Sequence, residues 1–142
     1  MILLDANVLL YAYDASSPFH PKAKPWLEAA LSGTEPVGFP WPTVLAFLRI
    51  ATNHRVLGRP LSIEEATAIV SSWLALPHVV LPSPGEQHWQ ILAALLSHAQ
   101  ARGPLVPDAH LAALSIEHGA TLATADRDFS RFDGLRTVNP VA

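Results

Sequence analysis

The chain opens on an unbroken apolar run, Ile2-Leu3-Leu4, that stops at an acid, Asp5. An apolar run without polar alternation reads as a short strand buried on both faces. Asn7 to Tyr13 looks helical, Ser17-Pro18 opens a loop, and His20 to Leu31 reads as a helix closed by Gly33. Pro36 to Phe39 is a second short strand. Thr43 to His54 then carries Val44, Phe47, Leu48 and Ala51 at helical intervals. Ser62, with Glu65 three residues on, is a capping box for a helix that runs to Leu76.

The second half continues the alternation. Val79-Val80-Leu81, bracketed by Pro77 and Pro82, is a third strand. Glu86 to Ala101 predicts a long helix with Trp89, Leu92, Leu96 and Ala99 along one face. Pro107 to His118 predicts another, with proline at the start and Gly119 just past the finish. Ala120 to Ala123 is a fourth strand and Leu135 to Val138 a fifth. Short apolar strands separated by helices predict an α/β fold, with a mostly parallel sheet of four to five strands covered on both faces. One domain spanning residues 1–142 is expected, since 142 residues is a common size for one domain.

Composition narrows the classes. Half of the residues are apolar and 15% are charged, too hydrophobic a balance for a disordered chain. With no cysteine, disulfide scaffolds, thiolate zinc sites, iron–sulfur clusters and cysteine nucleophiles are excluded, and a cytoplasmic location is expected. The net charge of −3 argues against a basic coat for nucleic acid and leaves room for a local basic groove. No run reaches the ~18 apolar residues of a membrane span, and the N-terminus lacks the basic start of a secretory signal. Four tryptophans beside so few charges predict an apolar patch covered by a partner subunit or a second protein.

The candidate chemistry lies in the aspartates. In parallel sheets ligands sit beyond the carboxyl ends of the strands. Asp5 follows the first strand directly, Asp126 and Asp128 follow the strand ending near Ala123, and Asp108 opens a helix. Each has a structural explanation by itself: Asp5 as a helix cap, Asp108 as an acid favoured by the helix dipole, Asp126 and Asp128 as turn residues. Together they form a set of hard oxygen donors with no soft ligand, a set that selects Mg²⁺ or Mn²⁺ over zinc. Clustered aspartates repel one another unless a cation intervenes, so a metal accounts for the group better than four independent caps do. Such a metal binds phosphate oxygens and activates water for attack on phosphorus.

Three segments carry a resemblance. Ile2 to Leu9 (ILLDANVL), Pro107 to Leu114 (PDAHLAAL) and Leu122 to Phe129 (LATADRDF) resemble PIN-domain ribonucleases, and more narrowly the VapC toxins of type II toxin–antitoxin systems. Phe47 to Asn53 is similar to that subfamily too, and the likeness spans nearly the whole chain in the family's order. It implies a PIN-like α/β/α sandwich and a Mg²⁺-dependent endoribonuclease acting on RNA. By the same resemblance Asp5, Asp108 and Asp126 hold the metal, Asn7 and Thr124 orient ligands or water, and Asp128 is an additional acid. It further implies a homodimer and a VapB-type antitoxin whose C-terminal segment lies across the active-site groove. There is one departure. The family commonly carries an acid in the third helix where this chain has Ala46, and no acid occurs between Glu35 and Glu64. The shell is then three aspartates plus water, or the chain is a weakened module that only pairs with its antitoxin.

The remaining polar residues divide between ordinary and functional readings. Seven histidines show no ligand-like pair on one face, and His110 points away from Asp108, so surface or helix-end roles are expected for them. Arg49, Arg55, Arg59, Lys22 and Lys24 are surface cations or a phosphate stripe, and Arg49 is also placed to pair with a site carboxylate. Arg127 and Arg131 flank the acidic loop and suit phosphate contact. Trp41, Trp73 and Trp89 read as core or interface ahead of base stacking. A phosphatase of the haloacid dehalogenase type shares the first strand, but needs an aspartate where Asn7 stands.

Overall fold

The computed structural model describes residues 1–54 and 59–142; Arg55 lies outside the described residues. The elements alternate: β1 (Ile2–Leu4), α1 (Ala6–Tyr13), α2 (His20–Ser32), β2 (Val37–Gly38), α3 (Trp41–Ala51), α4 (Ile63–Leu74), β3 (Val79–Val80), α5 (His88–His98), α6 (Leu105–Glu117), β4 (Thr121–Ala123), a 3₁₀ helix (Arg127–Arg131) and β5 (Arg136–Val138). The five strands form one sheet in the order β3-β2-β1-β4-β5, and every pairing is parallel. Ile2 pairs with Val37 on one side and Thr121 on the other, which makes β1 the central strand.

Side chains alternate across a strand, so adjacent residues of β1 enter different cores. Leu4 packs with Leu9, Val37, Phe39, Phe47 and Trp73 under α1 to α4. Leu3 packs with Leu114, Leu122 and Phe129 under α5, α6 and the 3₁₀ helix. The result is the expected three-layer sandwich. Phe39 and Trp73 stack with ring centroids 4.9 Å apart, anchoring α4 to the end of β2. Ser62 caps α4 reciprocally with Glu65: its hydroxyl accepts from the Glu65 amide at 3.0 Å, and its own amide donates to the Glu65 carboxylate at 3.1 Å.

Several boundaries differ from the sequence expectation for local reasons. α3 starts two residues early, at Trp41, with Pro42 in the first turn where proline is well tolerated. α6 starts at Leu105, which puts Pro107 among the residues whose amides lack an intrahelical partner anyway. Gly119 has φ +63°, the left-handed conformation that ends a helix and that a side chain disfavours. α5 is shorter than expected; Leu92, Leu96 and Ala99 pack against the core as expected, and the inward face also takes in the neighbouring stripe. His88 and Leu95 are buried there, whereas Trp89 is 70% exposed. Trp41 and Leu45 are also exposed on α3, while Trp73 belongs to the core. Among the described residues no helix is long and apolar enough to cross a membrane.

Candidate functional site

The chain runs from β1 outward to β2 and β3, then returns to the other flank of β1 for β4 and β5. The direction therefore reverses between β1 and β4. A parallel sheet opens a crevice beyond its carboxyl edge at such a reversal. Asp5 follows β1 and Thr124 follows β4, so both stand at this crevice, with Asp126 two residues on.

A compact hydrogen-bond network holds Asp5. One carboxylate oxygen accepts from the Ala6 amide at 2.8 Å, so the residue does cap α1. The other accepts from the Thr124 hydroxyl at 2.7 Å and from the Asn7 side-chain amide at 3.3 Å. The Thr124 oxygen in turn accepts from the Asp126 amide at 3.1 Å and from the Asn7 amide at 3.3 Å. One donated and two accepted bonds exhaust a hydroxyl. The Asn7 carbonyl takes the Ala125 amide at 3.2 Å, so Asn7 clamps the β1 end to the β4 end. Asp126 accepts from the Asp128 amide at 2.9 Å and starts the 3₁₀ helix, where the sequence suggested only a turn. The cap and turn readings thus hold for Asp5 and Asp126, and the same two residues also share the crevice.

Charge links the acids that hydrogen bonds do not. Burial pushes the Asp5 carboxyl above its ordinary value against the pull of the Thr124 and Ala6 donors, and Asp126 adds to the rise. Asp108, at the start of α6, is pushed up to about 6 by burial first, then by Asp126, Asp5 and Asp128. Among the described residues the ion pairs lie elsewhere, and none joins a cation to these four aspartates. The carboxylates therefore repel one another with no ion pair to offset the repulsion among the described residues. No three acidic or histidine side chains among the described residues stand as a closed metal-ligand set. The donor chemistry, oxygen only and short of positive charge, fits a hard divalent cation.

Not every expected residue gathers here. Arg49 is exposed in the last turn of α3 and forms no ion pair with a site carboxylate among the described residues. It lies about 9 Å along the helix from Thr43, the residue that touches the site's end of β1. Lys24 pairs with Glu28 at 3.9 Å and Lys22 donates to the Ala142 carbonyl at 2.8 Å, both on the exposed face of α2. Arg127 is exposed next to Asp126, and no ion pair engages it among the described residues.

Two features escaped the sequence reading. The buried Thr43 hydroxyl donates to the Leu4 carbonyl at 2.8 Å and ties the first turn of α3 to the strand end before Asp5. A lone hydroxyl in the first turn of an apolar helix was the available signal. Ala46 follows it by three residues, on the same side of the helix, so α3 presents a methyl group there rather than an acid. His88 is the second feature. It is buried, and its Nε2 lies 3.0 Å from His110 Nδ1 on the neighbouring helix, with Glu117 3.5 Å from its other nitrogen. The surface role expected of the histidines fails for this pair, which joins α5 to α6.

The geometry defines an α/β protein with an acidic crevice at a topological reversal. Residues 2–135 match the model of the PIN domain family. The chain is 46% identical over 142 residues to ribonuclease VapC37 of Mycobacterium tuberculosis, covering 100% of this chain and 99% of the relative. In structure it is similar to FitAcB from Neisseria gonorrhoeae, with TM-score 0.70, 23% identity, and 99% and 98% of the two chains covered. A toxin–antitoxin complex from Klebsiella pneumoniae aligns with TM-score 0.64 and 21% identity over 99% of this chain and 98% of that one. This chain belongs to the PIN-domain family, within its VapC ribonuclease group. The family match sets aside the dehalogenase-type phosphatase, and Asn7 acts as a clamp rather than a stand-in for an acid.

Proposed function

We propose that the chain is a Mg²⁺-dependent endoribonuclease, the toxin of a type II toxin–antitoxin pair. What supports this reading is that Asp5 and Asp126 stand at the sheet's ligand-binding edge, joined through Thr124, with Asp108 raised by the charges of both and no ion pair from a cation to any of the three among the described residues. Asp5, Asp108 and Asp126 hold the metal, with Mn²⁺ as a substitute. A bound divalent ion supplies Lewis acidity toward a phosphate oxygen and a water of lowered pKa. The chain's own part is positioning. Thr124 and Asn7 fix which lone pairs Asp5 presents, Asp128 adds negative charge behind Asp126, and Arg127 offers a cation to the RNA backbone.

Membership in the VapC group supports a VapB-type antitoxin as partner and a homodimer as the working unit. Ala46 favours a second reading, a weakened module that binds its antitoxin and cleaves poorly. One experiment separates them: expression without antitoxin, with sequencing of new RNA 5′ ends, against Asp5→Asn and Asp108→Asn. The nuclease reading expects new ends and growth arrest only from the native chain. Equal activity in all three proteins overturns it, and a native chain that gives neither new ends nor growth arrest supports the binding module.

A further inference from the structure

Beside Asp126 the surface sinks into a cleft of about 320 Å³ between the 3₁₀ helix and β5. That volume is at the lower end of the roughly 300–1,000 Å³ typical of small-ligand sites, enough for one unstacked nucleotide and too small for a duplex. Its base is apolar: Phe129 is 1% exposed and meets Phe132 edge-on at 6.0 Å. Its walls carry the Ser130 and Thr137 hydroxyls, the Asn139 amide and, at the acidic end, Arg127 beside Asp126. β5 is the outer strand of the sheet, so the cleft opens on the sheet's flank and a chain leaving the crevice can run into it.

Asn139 is oriented. Its carbonyl oxygen accepts from the Val141 amide at 3.1 Å, which leaves the side-chain NH₂ as the group presented outward. A fixed donor discriminates between bases. Guanine O6 and uracil O4 accept from it, whereas adenine and cytosine offer an amino group at the matching position. Arg127 in turn suits the phosphate of the same nucleotide.

We infer that this cleft is the subsite for a nucleotide flanking the scissile phosphate of single-stranded RNA, with Asn139 selecting a carbonyl-bearing base. The inference rests on the ribonuclease reading above. Asn139→Asp tests it well, because a carboxylate keeps the acceptor that Val141 needs and removes the donor. Native and variant proteins are incubated with a random-sequence RNA pool and the cut ends are sequenced. At one position flanking the cut, guanine and uracil are expected to lose about threefold to tenfold in preference against adenine and cytosine. Arg127→Ala is expected to slow cleavage of all sequences alike and to lower the salt slope by about one. An unchanged base distribution in Asn139→Asp, at a native-like melting temperature, overturns the subsite. A native chain that cuts no RNA removes the ribonuclease reading itself, a different failure that the same experiment reports.

Discussion

Replacing Asp108 by asparagine should make the metal-free protein more stable at neutral pH. The Asp108 carboxyl rises from 3.8, its ordinary value, to about 6 because burial and three neighbouring carboxylates oppose its charge. Well below pH 3.8 the group is neutral in the folded and unfolded chains alike. Between there and about 6 the unfolded chain has released its proton and the folded chain has not, so stability is lost as pH rises through that window. At face value the gap is roughly 3 kcal/mol. Asp108 is half-exposed, and solvent screening reduces the figure to about 1–2 kcal/mol. Asparagine has nearly the same shape and no charge, so at pH 7.5 the variant should recover that amount, a rise of about 3–8 °C in Tm. At pH 4.5 the difference should shrink to about a third of that. Urea unfolding in a chelator at both pH values measures it. An equal effect at the two pH values, or a loss at pH 7.5, refutes the electrostatic account of the site.

The other predictions concern the clamp and the missing acid. Thr124→Val removes the hydroxyl that serves Asp5, Asn7 and Asp126; it should lower stability by about 1–3 kcal/mol and RNA cleavage by at least about tenfold. A fully active Thr124→Val would show that the Asp5 orientation does not matter. Mg²⁺ should raise the Tm of the native chain and leave Asp108→Asn nearly unmoved, since an ion that binds only the folded state stabilises by about 2.7 kcal/mol at a hundred times Kd. Ala46→Glu should shift that Mg²⁺ titration to lower concentration while destabilising the metal-free chain; a superimposable titration means that the position plays no part in binding.

The sequence was informative where one segment carries its own signal. The triplet Ile2-Leu3-Leu4, the capping box at Ser62 and the Pro–Gly frame of α6 are local patterns, and each maps onto the element it predicts. The site was legible for the same reason, because an acid after an apolar strand sits at a carboxyl edge whatever the sheet order. What escaped depends on which helix meets which. Trp89 and His88 are adjacent, and period alone cannot say which of two neighbouring stripes turns inward. His88 does, and His110 from α6 gives its Nε2 a hydrogen-bond partner that only the folded packing supplies, while its buried Nδ1 makes no hydrogen bond and lies 3.5 Å from Glu117. The Thr43 bond to Leu4 is invisible for the same reason: its partner is a backbone carbonyl 39 residues away.

The three principal acids differ in how firmly they are held. Asp5 has donors from Ala6, Asn7 and Thr124, so its oxygens are fixed against the end of β1. Asp108 is governed by burial and the charges of other aspartates, and Asp126 stands exposed at the start of a short 3₁₀ helix. Mutual repulsion sets the separation of such groups, and a cation reverses its sign. On the proposed reading, Asp5 is the fixed point toward which Asp108 and Asp126 draw. The stability lost to repulsion at neutral pH and the affinity for a divalent ion then share one origin. A variant that relieves the first must weaken the second, which links the two arms of the Asp108→Asn measurement.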